Sequence, residues 1–275
     1  MFSISDMYIK LKQFKSELGP GQHRLYFAKV DVQAAFDTIP QDAVLGLMDT
    51  IPSQQLYTMS KHAEMKPGDR SVAEAANAAT RPTRRWQTTA LSKADESDFL
   101  GRVEAQEGLR KRNTVFIDST VIKTHTADSL ISLMREHVSQ NLVKVGKKFY
   151  RQKVGIPQGS VLSSFLCNYF YAELEMRHLA FLQGADSLLL RLIDDFLLIT
   201  LDKGKAERFV EVMHGGLPEY GVQVNPCKTL VNFDLEGPSG KIRRLGHGLG
   251  FPYCGTRINC RDLEIEKDHE RHKSA

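Results

Sequence analysis

Two adjacent acids, Asp194 and Asp195, interrupt an otherwise apolar stretch that runs from Leu188 to Thr200. Short apolar runs on either side read as buried strands, and the break between them reads as a tight hairpin. Asp-Asp is not the dipeptide that a two-residue hairpin prefers, which would be Asn-Gly or Asp-Gly. Turn chemistry therefore leaves both acids unexplained. Carboxylates this close repel one another and resist burial unless a cation compensates them. Mg²⁺ is one such cation, since it takes a few carboxylates together with substrate phosphates. A solvated turn carrying two surface acids fits the same residues.

A third acid stands in a comparable place. Leu25 to Val32 is rich in aromatic and β-branched residues and reads as a strand that ends at Asp31-Val32. Side-chain alternation puts Tyr26, Ala28, Val30 and Val32 toward a core, with Phe27, Lys29 and Asp31 on the other face. If this strand neighbours the Asp194-Asp195 hairpin in one antiparallel sheet, the three carboxylates converge. They could then hold two divalent cations about 3.5–4 Å apart, an arrangement suited to in-line phosphoryl transfer. Competing chemistries find no support. The sequence has no Gly-x-Ser-x-Gly elbow, no Walker loop and no dinucleotide-binding glycine fingerprint.

The elements that must position these acids can be read in outline. Residues 3–18 have helical spacing through Ile4, Met7, Leu11 and Phe14, and Gly19-Pro20-Gly21 ends the helix. Helical periodicity resumes from Ala43 to Ile51. It weakens from Pro52 to Arg112, where Ala73–Ala79 favours helix and two basic clusters, Arg81–Trp86 and Arg110–Arg112, fit either solvated faces or nucleic-acid contacts. Thr114–Asp118 reads as a short strand and 127–143 as a helix. Residues 143–154 read as a basic, aromatic hairpin turning at Gly146, a surface suited to a backbone phosphate. Gly155-Ile156-Pro157-Gln158-Gly159-Ser160 is a loop before a long apolar helix that Ser160 can cap. Further on, Lys205–Gly215 reads as a helix, and Pro218–Phe233 as two strands around Asn225-Pro226. A hairpin is expected around Tyr253-Cys254-Gly255, followed by a charged tail from Arg261.

Composition sets the limits. The 275 residues are 41% hydrophobic and 25% charged with a net charge of +4, which accommodates a polyanionic partner without requiring one. No apolar run approaches the roughly 18 residues of a membrane helix, and the N-terminal segment lacks the apolar core of a signal peptide. Four cysteines without a Cys-x-x-Cys pair, and nine histidines without His-Glu-x-x-His, argue against a zinc site or disulfide framework and for a reducing compartment.

Taken in order, the motifs resemble those of reverse transcriptases. Val30-Asp31-Val32 with Phe36 is similar to motif A, Gly155–Ser160 to motif B′, and Leu192–Phe196 to motif C. Asn225–Thr229 is similar to motif D, and Tyr253-Cys254-Gly255 to the primer-grip motif E. Within that superfamily the wording of Lys29–Asp42, Leu190–Leu198 and Pro218–Gly221 most resembles the telomerase catalytic subunit, as does the long interval from Asp31 to Gly155. Retroelement and intron-type enzymes, and a non-catalytic nucleic-acid-binding fragment, are the alternatives.

The resemblance implies an α+β fold, a reverse-transcriptase palm with an antiparallel sheet backed by helices, plus a mostly helical insertion. It divides the chain into a first palm segment (1–51), an insertion in the fingers (52–140), the rest of the palm (141–260) and the start of a thumb or tail (261–275). It implies RNA-directed DNA synthesis at chromosome ends, with two Mg²⁺ ions on Asp31, Asp194 and Asp195. Phe36 would lie under the incoming sugar, although it also suits a core. Gln158 and Gly159 would contact the nucleotide. Lys228 would sit near its phosphates as a proton donor, although it also suits a surface. Tyr253, Cys254 and Gly255 would hold the primer end; the family usually has Trp where Tyr253 stands. Implied partners are a telomerase RNA, a single-stranded telomeric DNA primer, dNTPs and accessory proteins, in the nucleus at the telomere and without a membrane. Fingers motifs 1 and 2 and an RNA-binding domain are expected upstream and a thumb downstream. The chain is thus expected to be a fragment of a longer protein, and weak or inactive alone.

Overall fold

The computed structural model describes residues 4–21, 23–68, 82–92, 98–105, 111–237, 240–246 and 248–268. The chain divides into two compact units, Met1–Leu47 with His137–Ala275, and Met48–Glu136.

The first unit is organised on a five-stranded sheet. Its strands are β1 (Tyr26–Asp31), β7 (Ser187–Leu192), β8 (Asp195–Thr200), β9 (Leu230–Val231) and β12 (Arg243–Arg244), in the order β12-β9-β1-β8-β7. β1 runs antiparallel to both β8 and β9, while β12 joins β9 in parallel. One face of the sheet carries Phe27, Leu190, Leu197 and Ile199. These pack with Met7, Leu11 and Phe14 of helix α1 (Ile4–Leu18), and with Phe251, Tyr253 and Ile258. The other face carries Ala28, Val30, Phe196 and Leu198, all fully buried. Helix α6 (Val161–His178) covers this face with Tyr171 against Phe196, and α7 (Lys203–Gly215) packs on β1 and β8.

The expectation that β1 has a single core face is corrected here: Phe27 is as buried as Ala28 and Val30. A central strand covered on both sides has no solvent face, so alternation sorts its residues between two cores instead.

Local chemistry accounts for several element ends. Asp202 caps α7 by accepting from the Gly204 and Lys205 amides. Ser160 holds the N-cap position of α6, yet its side chain makes no capping bond, contrary to expectation; its carbonyl accepts from the Ser164 amide instead. Residues 218–233 do not form two strands about a turn. Pro218–Tyr220 and Pro226–Lys228 are single 3-10 turns with Pro at their starts, where its fixed φ suits them, and single bridges join Val32 to Val224 and Leu217 to Val222. The hairpin of β13 (Phe251–Tyr253) and β14 (Thr256–Ile258) forms as expected around Cys254-Gly255. The charged tail returns on it as a third strand, β15 (Ile265–Lys267). Lys15 of α1 and Glu264 pair at 2.7 Å beside it.

The second unit departs from the expected mostly helical insertion. Its described residues centre on a three-stranded antiparallel sheet of β2 (Leu56–Lys66), β3 (Thr83–Ser92) and β4 (Val115–Thr126), in the order β3-β2-β4. β4 extends well past the short strand expected at 114–118. Its Thr- and β-branched-rich sequence favours extended backbone once pairing is available, and pairing is what a local reading does not see. Helices α4 (Phe99–Ala105) and α5 (Ala127–Ser139) accompany the sheet. The helix expected at Ala73–Ala79 lies outside the described residues.

Candidate active site

Asp31 and Asp195 are directly paired at the last register position of β1 and β8. Cross-strand partners point to the same face, so the two carboxylates emerge side by side at the end of the sheet. The turn between β7 and β8 is Ile193-Asp194, leaving Asp195 as the first residue of β8 rather than part of the tip. Ile193 takes φ +58°, a left-handed conformation that costs a β-branched residue energy. The turn is held from outside: the Val32 amide donates to the Asp194 carbonyl at 3.1 Å. Asp194 thereby sits beside the end of β1.

Cations face this acidic edge. Lys228 donates from Nζ to Asp31 Oδ1 at 2.9 Å. Its 3-10 turn is fixed locally by the Asn225 side chain, which accepts from the Cys227 amide, and the Asn225 amide donates to the Asp31 carbonyl at 3.2 Å. Lys29, two residues before Asp31 and on the same face, places Nζ 3.7 Å from Asp195 Oδ1. Burial, followed by the charges of Asp195 and Asp31, pushes the Asp194 carboxyl above its usual range. The hydrogen bond to Asp31 pushes the Lys228 ammonium upward as well, so it stays protonated at neutral pH.

The loop Gly155–Ser160 docks on the segment that follows β1. The Ile156 amide donates to the Phe36 carbonyl at 2.7 Å, and Gln158 Nε2 donates to both Asp37 oxygens at 3.0 Å. Gly155, at φ +75°, is required here: a Cβ would lie 2.3 Å from the Phe36 carbonyl oxygen. Gly159 also takes a positive φ, with open space beside it. Phe36, in the short helix α2 (Ala35–Thr38), is half-buried. Tyr253 is buried, and its hydroxyl donates to the Asp195 carbonyl at 3.0 Å, while Cys254 and Gly255 form the partly exposed turn.

Asp31, Asp194, Asp195 and Lys228 therefore meet at one edge, Phe36 and Gln158 belong to one docked loop pair, and the Tyr253 hairpin supports the edge from the α1 side. Sequence reasoning left Lys29, Arg191 and Asp37 without a role. Arg191 could have been flagged as a charge inside an apolar strand: it is buried, bonded to Glu175 and Asn168 of α6, and reaches the Ile193 carbonyl at 3.5 Å.

The acids suit a divalent cation. Asp195 Oδ1 is buried with no hydrogen-bond partner, and Asp194 carries a charge that its surroundings disfavour. Among the described residues no three His, Cys, Asp or Glu side chains form a ready-made metal cage. Lys228 and Lys29 supply the neighbouring positive charge instead.

Residues 47–249 match the family model described as reverse transcriptase (RNA-dependent DNA polymerase). The rat telomerase reverse transcriptase is 33% identical over 256 residues, 90% of this chain and 22% of that protein. The rice protein of the same name is 28% identical over 292 residues, 99% of this chain and 22% of that one. The chain thus spans about a fifth of the length of these curated relatives. Among solved structures, apo telomerase from Candida tropicalis has a TM-score of 0.64 at 21% identity, covering 98% of this chain and 37% of that one.

Proposed function

The chain belongs to the reverse transcriptase family, and on that footing we propose that it is the catalytic palm of a telomerase, with residues 52–140 as its fingers insertion and 261–275 leading into a thumb. It extends the 3′ DNA end of chromosomes by copying an RNA template, in the nucleus at the telomere. One observation carries this reading: Asp31 and Asp195 are cross-strand partners, with Asp194 in the adjoining turn. A solvated-turn reading of the acids would not need the buried Asp195 oxygen, which faces Lys29 Nζ at 3.7 Å without a hydrogen bond, or the support from Tyr253.

Asp31, Asp194 and Asp195 would hold two Mg²⁺ ions. Bound there, the ions supply neutralising charge for the triphosphate, the attacking 3′ oxygen and the pyrophosphate leaving group. The chain's own residues do the rest. The Gly155–Ser160 loop and Phe36 form one bonded platform for the incoming nucleotide, with the aromatic ring excluding a 2′-hydroxyl. Gln158 is oriented by Asp37 until substrate replaces that bond. Lys228, kept protonated by Asp31, is the group that can give a proton to departing pyrophosphate. Cys254-Gly255 holds the primer end. Partners are a telomerase RNA, a single-stranded telomeric DNA primer, dNTPs and accessory proteins. A Candida albicans telomerase in this fold has been solved with a fragment of telomeric RNA, which supports the RNA partner.

The test uses the full-length protein with its RNA. Asp194→Asn should abolish primer extension while RNA binding stays intact. Extension by that variant at the wild-type rate would remove the metal assignment.

A further inference from the structure

A cavity of about 860 Å³ lies in the first unit, at the end of the sheet remote from the site acids. Tyr26 lines it and opens β1, whereas Asp31 closes that strand, so about 16 Å separates the two at about 3.3 Å per residue. Its walls are the last turn of α1 with Gly19-Pro20-Gly21, the residues leading into β1, Asn232-Phe233 after β9, and the turn 260–263 between β14 and β15. A cavity of that volume accepts a drug-sized ligand.

The walls are preformed. Asn232 fastens the chain entering β1, accepting from the Phe27 amide at 2.8 Å and donating to the Leu25 carbonyl at 2.9 Å. In the turn opposite, the Leu263 amide donates to the Asn259 carbonyl at 3.0 Å, and the Asn259 amide to the Glu264 carbonyl at 2.8 Å. These bonds hold Leu263 at φ +62° and turn it into the core cluster. Tyr26 and Phe233 meet edge to face, their ring centres 5.6 Å apart. With Leu18 and Leu263 they offer an apolar corner, and little ordering is left for a ligand to impose.

Charge selects the ligand. Lys15, Arg24 and Arg261 line the cavity against one acid, Asp262. Lys15 is taken by Glu264, and the Asp262 carboxylate is tied into its own turn by the Asn259 side chain and the Glu264 amide. Arg24 and Arg261 are exposed and have no ion-pair partner among the described residues, so cations remain in excess. The cavity's thiol adds no negative charge, because burial pushes Cys260 up to about 11. His23, also in the wall, buries its Nε2 without a hydrogen-bond partner. An unpaired buried polar atom is costly, and an oxyanion supplies the acceptor that a purely apolar ligand lacks.

We propose that this cavity binds a small aromatic carboxylate, with its flat apolar body against Leu18, Tyr26 and Phe233 and its carboxylate on Arg24, Arg261 and the His23 Nε2. The site is independent of the polymerase reading, since no residue of its walls belongs to the acidic edge.

The experiment titrates 2-naphthoate, the neutral 2-naphthalenemethanol and the cationic 2-naphthylmethylammonium into the 275-residue chain by calorimetry at pH 7. Naphthoate should bind one per chain and about tenfold or more tighter than the alcohol, with the ammonium weakest, because a carboxylate gains charge-assisted bonds from guanidinium. Arg24→Gln/Arg261→Gln should remove that advantage and leave the affinity for the alcohol within about twofold. Both arginines are exposed, so folding should persist, as checked by circular dichroism. His23→Phe should weaken naphthoate by about threefold or more and, without ligand, unfold no lower than the parent, because it deletes an unpaired buried nitrogen. Lys144→Gln/Lys148→Gln, on the exposed hairpin of β5 (Leu142–Val145) and β6 (Lys148–Arg151), is the control and should change neither affinity. Absence of naphthoate binding overturns the proposal, as does equal affinity for the three probes. So does an unchanged naphthoate affinity in the arginine variant, or a loss of binding in the lysine control. Displacement by equimolar inorganic phosphate would show an anion site that ignores the apolar body, and overturns it too.

Discussion

Tyr253 donates its hydroxyl to the main-chain carbonyl of Asp195 across 3.0 Å, so a hairpin distant in sequence holds the backbone of a site acid from beneath. The ring is buried in the cluster that joins α1 to the sheet, and burial pushes the phenol pKa upward, keeping it a donor. Tyr253→Phe keeps the packing and removes one hydrogen bond. We expect it to cost about 1 kcal/mol by denaturant unfolding, and to lower extension in the full-length protein without changing primer affinity. An unaltered turnover would mean that the Asp195 backbone needs no such support.

Arg191 is a positioning residue. Its guanidinium spends Nε on Glu175, Nη2 on the Asn168 carbonyl, and Nη1 on Asn168 Oδ1 and, more distantly, the Ile193 carbonyl. The strained Ile193 is therefore braced from the helix side of the sheet. Arg191→Met strands Glu175 and Asn168 and should cost about 2–4 kcal/mol. Arg191→Lys keeps the charge but not the fork, and should recover part of the stability and little of the extension. If Lys restores the rate fully, charge alone matters and the turn is not held by geometry.

Gly155 and Gly221 do the same work at two sides of one turn. Cβ atoms there would lie 2.3 Å from the Phe36 carbonyl oxygen and 2.1 Å from that of Thr38, both at positive φ. Alanine at either position should cost about 2–4 kcal/mol, combining left-handed strain with overpacking. Gly19 also has a positive φ, but a Cβ there would meet nothing within 4 Å, so Gly19→Ala should cost only about 1 kcal/mol. Thermal unfolding of the three variants separates close approach from conformation.

What the sequence made legible was what local patterns encode. Asp31, Asp194 and Asp195 stood out because charges at the ends of apolar strands call for an explanation, and the α1 stripe and the β13–β14 hairpin follow from spacing and turn residues. Pairing was less legible. Phe27 is buried because a second layer exists above β1, and nothing within residues 25–32 announces that layer. The β2–β3–β4 sheet is assembled from segments far apart in the chain, so its weak local pattern announces no sheet, and the mostly helical insertion was implied by the resemblance alone. Lys29 and Arg191 had their signals in the charge itself: one shares a strand face with Asp31, and the other lies between leucines. Their partners, Asp195 and the α6 residues Asn168 and Glu175, required the tertiary structure.

The raised pKa of Asp194 gives the site a pH signature. Its folded state binds the proton more tightly than the unfolded chain does, first because of burial and then because of Asp195 and Asp31. Between the ordinary carboxylate value and the raised one, the native state holds more protons, so stability falls as pH rises through that window. The cost is fully present once the pH lies above the raised value. Asp194→Asn removes the charge and should unfold at a higher temperature than the parent at pH 7 in chelator, with the difference closing as pH falls below the usual carboxylate range. Mg²⁺ should raise the unfolding temperature of the parent and do so less for the variant, since a cation that binds only the folded state stabilises it by mass action. If the variant is instead the less stable one at pH 7 without Mg²⁺, the Asp194 charge is already satisfied by Lys228 and its neighbours, and the acids do not need a metal ion to be tolerated.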